Sequence, residues 1–352
     1  MTTERIVRRR RACEVHVPVR SGGALSGRRL TALGLAMVLL LGVPCGSQAK
    51  DTGLLFVSNE RTNNVLVIDP KTYKIVKDLR TSRRPRDMHF SADHTTLYVA
   101  CGDDDVIEII DVAKLEVIGK LSTGSSPETF GIDEKRRRIY VSNEEASSLS
   151  IIDMDQNITI QEVPTGAEPE GVLVGEDGHF VYVTSEVGDL VHLVNADTGN
   201  VEQDVVVGTR PRRFAPTPDG KELWVSTELS GEVYVIDRDT FTVKDKIEFL
   251  PPGMRKSDVT PVDLRITRDG KTPYVTLGHA ANVAVVDVPT RKVQGYILVG
   301  KRAWGLGVSR DENTLYVANG FGDDVTVIDV KSRKATVSIP VGRIPWGIVI
   351  DD

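Results

Sequence analysis

The sequence predicts an all-β protein: a seven-bladed β-propeller of four-stranded antiparallel blades, its ring closed by N- and C-terminal strands sharing one blade. Three observations predict it. A short strand motif is spelled seven times, as LFVSN from Leu55, LYVAC from Leu97, IYVSN from Ile139, VYVTS from Val181, LWVST from Leu223, PYVTL from Pro273 and LYVAN from Leu315. Its central Val falls at 57, 99, 141, 183, 225, 275 and 317, giving steps of 42, 42, 42, 42, 50 and 42 residues. A period of roughly 40–45 residues built from short strands is that of a propeller blade, which cannot bury both faces of its sheet alone. Finally, each repeat is rich in Val, Ile, Thr and Tyr with apolar residues alternating, which excludes a helical solenoid.

In chain order, the first 49 residues read as a leader and 50–352 as one propeller domain. The leader is basic, with Arg8 to Arg11 in a row and Arg28-Arg29 ahead of the apolar run Leu30 to Val43. That run suits the core of a signal peptide and falls short of the roughly 20 residues of a membrane span. Ser47-Gln48-Ala49 offers small residues for a signal peptidase, so cleavage after Ala49 and a periplasmic location are expected. Pro44 fits a lipoprotein site at Cys45 poorly, and Arg28-Arg29 leaves twin-arginine and general secretion both open. Removing the leader takes eight of the 44 Lys and Arg and two of the 50 Asp and Glu, leaving 36 against 48, a charge of −12. Such an acidic chain is not expected to grip a polyanion. Cys101 is then the only cysteine, so no internal disulfide is expected.

Each repeat divides into four strokes. The first begins at Pro85, Pro127, Pro169, Pro211, Pro261 or Pro345, with Ala303 standing in once, and ends in turns such as Pro218-Asp219-Gly220. The second is the motif above. The third ends in Asp69, Asp111, Asp153, Asn195, Asp237, Asp287 or Asp329, and the fourth carries the Val-Gly seen at Val207-Gly208, Val299-Gly300 and Val341-Gly342. The repeat at Leu55 lacks a first stroke, while Ile344 to Ile350 is a first stroke with nothing after it. Pairing the two completes a blade and removes an exposed sheet edge. The long step, around Phe249 to Thr260, is a Pro-rich loop expected at the same end of the ring as the first-stroke prolines, where it would serve as a lid.

Alternating strand direction brings the first-stroke starts and the loops after the second strokes to one mouth. The residues after each first-stroke start are Trp346, Arg86, Glu128, Glu170, Arg212, Val262 and Trp304; the loops contribute Glu60, Glu144, Glu186 and Glu228, with Gly102, Gly278 and Gly320 in the other blades. Arg302 and Arg343 lie beside them in sequence. Indoles next to guanidinium groups suit a planar anionic ligand or a partner. The alternative is that Arg and Glu of neighbouring blades pair and pin the ring. Trp224, inside a second stroke, is expected in the core. No catalytic residue and no metal site is nominated: Cys-x-x-Cys, Cys-x-x-Cys-His and Gly-x-Ser-x-Gly are absent, and the His positions differ between repeats.

The LYVAN, IYVSN and VYVTS runs followed by Val-x-Val-Ile-Asp resemble the YVTN-repeat propellers over the whole mature chain. The blade series Arg84-Pro85-Arg86, Ser126-Pro127-Glu128, Glu168-Pro169-Glu170, Arg210-Pro211-Arg212, Thr260-Pro261-Val262, Arg302-Ala303-Trp304 and Ile344-Pro345-Trp346 is similar to one branch, the β-propeller associated with pyrroloquinoline quinone (PQQ) dependent alcohol catabolism. The resemblance implies an exported accessory that binds or scaffolds without catalysis, beside a quinoprotein alcohol dehydrogenase, a cytochrome c or a transporter component. PQQ, a planar tricarboxylate, is implied as ligand or as the partner enzyme's cofactor, and a monomer is expected. Two alternatives stay open: a propeller enzyme of lactonase or amine dehydrogenase subunit type, and a nucleic-acid or surface-binding propeller, against which the charge argues.

Overall fold

The computed structural model describes residues 51–352. The leader and its expected cleavage site lie outside the described residues. The rest forms seven four-stranded antiparallel sheets, in each of which the strands follow one another in space as in sequence. Blade 1 is the exception that closes the ring: the C-terminal strand Pro345–Asp351 pairs with Leu54–Asn59, followed by Asn64–Asp69 and Lys74–Arg80. Leu55 faces Ile350, Phe56 faces Val349 and Val57 faces Ile348. Thr52 donates to Asp351 through both its N–H (2.7 Å) and its hydroxyl (2.6 Å), and His94 of blade 2 lies 2.7 Å from the same carboxylate. The two chain ends are thereby held together.

The alternation read from the sequence decides where the core sits. The second and third strands of each blade are almost wholly buried, whereas the outer fourth strand is largely exposed, as in the pattern eeeeeBe of Lys74–Arg80. Apolar clusters lie between consecutive blades. Tyr98 and Ile107 of blade 2 meet Phe130 and Ile139 of blade 3, and Leu55 and Ile68 of blade 1 meet Tyr316 and Val325 of blade 7. Because a blade buries one face only against its neighbour, the ring is the smallest unit that buries all of them. Trp224 sits fully buried in blade 5, and Cys101 is a buried free thiol.

The acids ending the third strokes cap the turns that follow. Asp69 accepts from the Lys71 N–H at 2.8 Å, and Asn195 does the same for Asp197 at 3.0 Å, so the one departure from Asp keeps the turn. Blade 6 is the shortest, with inner strands Leu264–Ile266 and Pro273–Thr276. The long loop before it is not a lid. Phe249 and Val259 are buried in one cluster with Leu277 and Ala280, so the two ends of the loop plug the seam between blades 5 and 6.

Candidate functional site

Two local devices aim side chains into the mouth. In blades 2, 3, 4, 5 and 7 the pairing of the first strand slips just after its start, as where Pro85 faces Cys101 but Met88 faces Val99. Such a bulge re-aims the residues within it, here Arg86, Glu128, Glu170, Arg212 and Trp304. In every blade but the sixth the residue ahead of the start is left-handed: Arg84 has φ 59°, Arg210 62°, Arg302 60° and Ile344 55°. Its N–H is held by the preceding blade, Arg84 by the Asn63 amide oxygen at 3.0 Å and Arg210 by the Asp189 carboxylate at 3.1 Å.

Blades 1 to 5 line the mouth with ion pairs that run from blade to blade. Arg86 donates to Glu60 at 2.7 Å, and both Arg84 and Arg86 contact the fully buried Glu128, with Glu144 3.4 Å from Arg84. On blades 4 and 5, Arg212 lies 2.7 Å from Glu186 and 3.2 Å from Glu170, and its Nε donates to Glu228 at 2.7 Å. Arg210 adds a contact to Glu186 at 2.7 Å, and Arg302 of blade 7 reaches across to Glu228 at 2.7 Å. Burial works against the Arg212 charge, but Glu170, Glu228 and Glu186 outweigh it and hold the guanidinium above its ordinary value. Burial alone would raise Glu228; Arg212 and Arg302 overcome it and hold that carboxyl below its usual range. Glu186 goes the other way: burial first, then the Glu170 carboxylate, push it up to about 8. Glu186 is therefore the carboxyl of the group that resists ionisation most.

Blades 6, 7 and 1 line the mouth differently. The rings of Trp304 and Trp346 lie 6.4 Å apart at 34°. Guanidinium groups cover their faces, Arg302 at 4.5 Å over Trp304 and Arg213 at 4.3 Å over Trp346, geometry in which the ring quadrupole attracts a cation. Both indole Nε1 atoms are buried without an acceptor, as are Nε and Nη1 of Arg302. At Gly305 and Gly347 the strands approach so closely that a Cβ would meet the carbonyl oxygens of Trp346 at 2.2 Å and Arg86 at 2.4 Å. Both indoles line a cavity of about 20 Å³ together with Asp87, Arg213, Asp263 and Arg265. A wider space of about 450 Å³ involves Asp87, His89, Arg213 and Arg265. Burial would raise the Asp87 carboxyl, but His89 and Arg213 bring it down to about 2.

Eleven of the twelve nominated residues thus share one network: Glu60, Arg86, Glu128, Glu144, Glu170, Glu186, Arg212, Glu228, Arg302, Trp304 and Trp346. Arg343 does not join it. Its side chain is 76% exposed and 4.0 Å from Asp323. The reason is register: Arg343 stands two residues ahead of Pro345, and Ile344 takes the left-handed position that Arg302 holds in blade 7. The same register brings in Arg84 and Arg210, which sequence reasoning passed over although both stand beside a first-stroke proline. Arg213 and Asp87, one position further along their strands, carried no repeat signal.

Two other clusters invite chemistry. In blade 4, His192 lies 2.7 Å from Ser185 Oγ and 2.6 Å from Asp204, but Ser185 is fully buried and its hydroxyl donates to the Thr165 carbonyl. Asn143, Ser150 and Glu162 form the corresponding chain in blade 3, which marks both as networks that tie the strands of one blade to each other. At the far end of the ring Asp51, His94 and Asp351 could converge on a cation, yet Asp351 is engaged by Thr52 and His94.

A family model described as YNCE-like beta-propeller matches residues 47–307. Among solved structures, hydrazine synthase of Kuenenia stuttgartiensis superposes with a TM-score of 0.72 at 19% identity, over 80% of this chain and 93% of that one. A functionally unknown protein from Desulfotomaculum acetoxidans gives 0.72 at 15% identity, over 85% and 99%. A protein from Lactobacillus plantarum gives 0.71 at 17%, over 85% and 99%. At these identities the likeness is one of fold. No curated protein matches the chain.

Proposed function

We propose, from the premise that the chain belongs to the YNCE-like β-propeller family, that it is an exported binding module whose mouth takes a planar anionic ligand without transforming it. One observation carries this reading. Beside two tilted indoles, the N–H groups of Trp304 and Trp346 and two nitrogens of Arg302 are buried and unpaired, whereas buried donors ordinarily find acceptors. A flat molecule edged with carboxylates would supply stacking and acceptors together. Absence of turnover is favoured because the carboxylates and guanidinium groups of the opening are engaged with one another, and the Ser185 hydroxyl is sealed from solvent.

PQQ has that chemistry, and the blade-by-blade resemblance supports service in a PQQ-dependent alcohol oxidation system. Its neighbours there would be a quinoprotein alcohol dehydrogenase, a cytochrome c or a transporter component, in the periplasm. Titrating the protein with PQQ while following indole fluorescence tests the reading. Saturable quenching with a micromolar Kd, about −8 kcal/mol, is expected, and Trp304→Leu should abolish it. Linear, non-saturating quenching identical in wild type and variant would sink the idea.

A further inference from the structure

The rim of the mouth is not uniform. Seven large apolar side chains of the described residues are at least 58% exposed, and six of them stand at the mouth end on blades 4 to 7: Val187, Val206, Leu229, Leu250, Leu298 and Phe321. Three occupy the tips after the second strands, where blades 1, 2 and 3 carry the exposed Arg61, Asp103 and Glu145 instead. Two close fourth strands, Val206 opposite Leu190 and Leu298 opposite Asn282, where other blades end in Arg80, Ser122, Pro164, Glu248 or Pro340. Singly exposed aliphatic residues need no explanation, but a group of them gathered on one arc of one face does.

The arc also has a polar anchor. Arg302, 8% exposed, lies with its guanidinium 4.5 Å from the Trp304 ring and 6.0 Å from that of Phe321. Only its Nη2 is bonded, to Glu228, while Nε and Nη1 lack acceptors. Gly278 lies close beside it, where a Cβ would meet Thr260 first and come within 3.3 Å of Nη1. Beside it Lys301 is exposed, and its carbonyl accepts the Phe321 N–H at 3.1 Å. An apolar crescent whose inner edge holds a buried, under-bonded guanidinium and an exposed ammonium is complementary to an apolar segment that carries a carboxylate.

We propose that the mouth-end rim of blades 4 to 7 is a docking surface for a partner protein presenting an apolar segment with an acidic side chain or a C-terminal carboxylate, which Arg302 receives. Phe321, Leu229 and Leu298 supply the apolar contact, and the charged rim of blades 1 to 3 leaves the docked segment one orientation. The inference rests on the mouth being a binding opening, as proposed above, and assigns to a protein carboxylate the Arg302 nitrogens that a small ligand would otherwise use.

The test uses immobilised nine-residue synthetic peptides of equal apolar content in three classes, carrying Asp and Glu, Lys, or Asn. Wild-type protein should bind the acidic class at least about tenfold more tightly than the basic one, about 1.4 kcal/mol. The double variant Leu229→Ser/Phe321→Ser should lose about tenfold of that affinity with an unchanged thermal melt, since both residues are exposed. Arg302→Gln should abolish the preference for acidic peptides while weak apolar binding persists. Equal binding of the three classes, no binding of any, or binding indifferent to the double variant would overturn the proposal. So would a wild-type dimer in light scattering that the double variant abolishes, because the occupant would then be a second copy. PQQ titration of the double variant separates the two readings: retained quenching with lost peptide binding supports both, and retained quenching without wild-type peptide binding overturns this one alone.

Discussion

Around one opening, blades 1 to 5 and blades 6, 7 and 1 bury polar groups in opposite ways. The first arc is closed by charge: five guanidinium groups, including Arg302 reaching in from blade 7, lie within ion-pair distance of six glutamates, although Nε of Arg84 and Arg210 and both Glu186 oxygens make no aligned hydrogen bond, and Glu186 resists ionisation most. The second arc stays open, its indoles stacked under cations while their N–H groups and part of Arg302 await acceptors. Paired charges of this kind hold neighbouring blades in place and offer little to a visitor, since a newcomer must break bonds already made. Unpaired donors against flat apolar surface lose nothing by receiving one. Stability is concentrated on one side of the mouth and recognition on the other, and Arg302 joins them.

The division breaks most visibly at Arg212. Arg212→Met leaves Glu170, Glu186 and Glu228 buried without their shared cation and should cost about 3–5 kcal/mol in urea unfolding; a loss under about 1 kcal/mol would show that the charged arc does not pin the ring. Arg302→Gln cuts the ion pair that joins the open arc to Glu228 and removes a charged hydrogen bond, for which a loss of about 2 kcal/mol is expected by the same measurement. Trp304→Leu, on the open arc, should cost only about 1 kcal/mol while removing the fluorescence response to PQQ. A drop as large as that of Arg212→Met would make the indoles structural and erase the contrast.

A pH scan probes the raised Glu186 carboxyl. Its folded pKa, about 8, stands above the ordinary 4.5. The native state therefore binds the extra proton, and this contribution to stability is complete below the unfolded value and fades as pH rises through the folded one. Unfolding free energy should decline between about pH 4.5 and 8, and Glu186→Gln, neutral at every pH, should flatten that slope, matching wild type below about pH 4.5 and exceeding it increasingly above. An unchanged slope in the variant would place the proton elsewhere. The turn carboxylates behave in the opposite sense: Asp69, Asp237 and Asp287 are held below 3.8 chiefly by backbone and hydroxyl hydrogen bonds, so their support is lost as pH falls through their lowered values.

Much of the mouth could be read without coordinates because a propeller converts repeat register into angular position. Glu128, Glu170 and Arg212 each follow a first-stroke proline, and that alone put them on one ring. Arg343 shows where register misleads: one residue of offset moves a side chain from the mouth to solvent, because only the residue adjoining the strand start takes the left-handed conformation that turns it inward. The lid reading of the loop before blade 6 failed for another reason. Phe249 and Val259 stand eleven and one residues before Thr260, and nothing in the spacing revealed that both fold back into the same seam.

Period, alternation and the complementary ends determined the ring, its blade number and its closing pair, since these depend on local patterns repeated along the chain. Which glutamate each arginine would take, that Glu186 would resist ionisation most, and that the indoles and Arg302 would be left with free donors were decided only by the tertiary structure. Those outcomes depend on distances of a few ångströms between side chains from different blades, and on burial that no single blade possesses before the ring has closed.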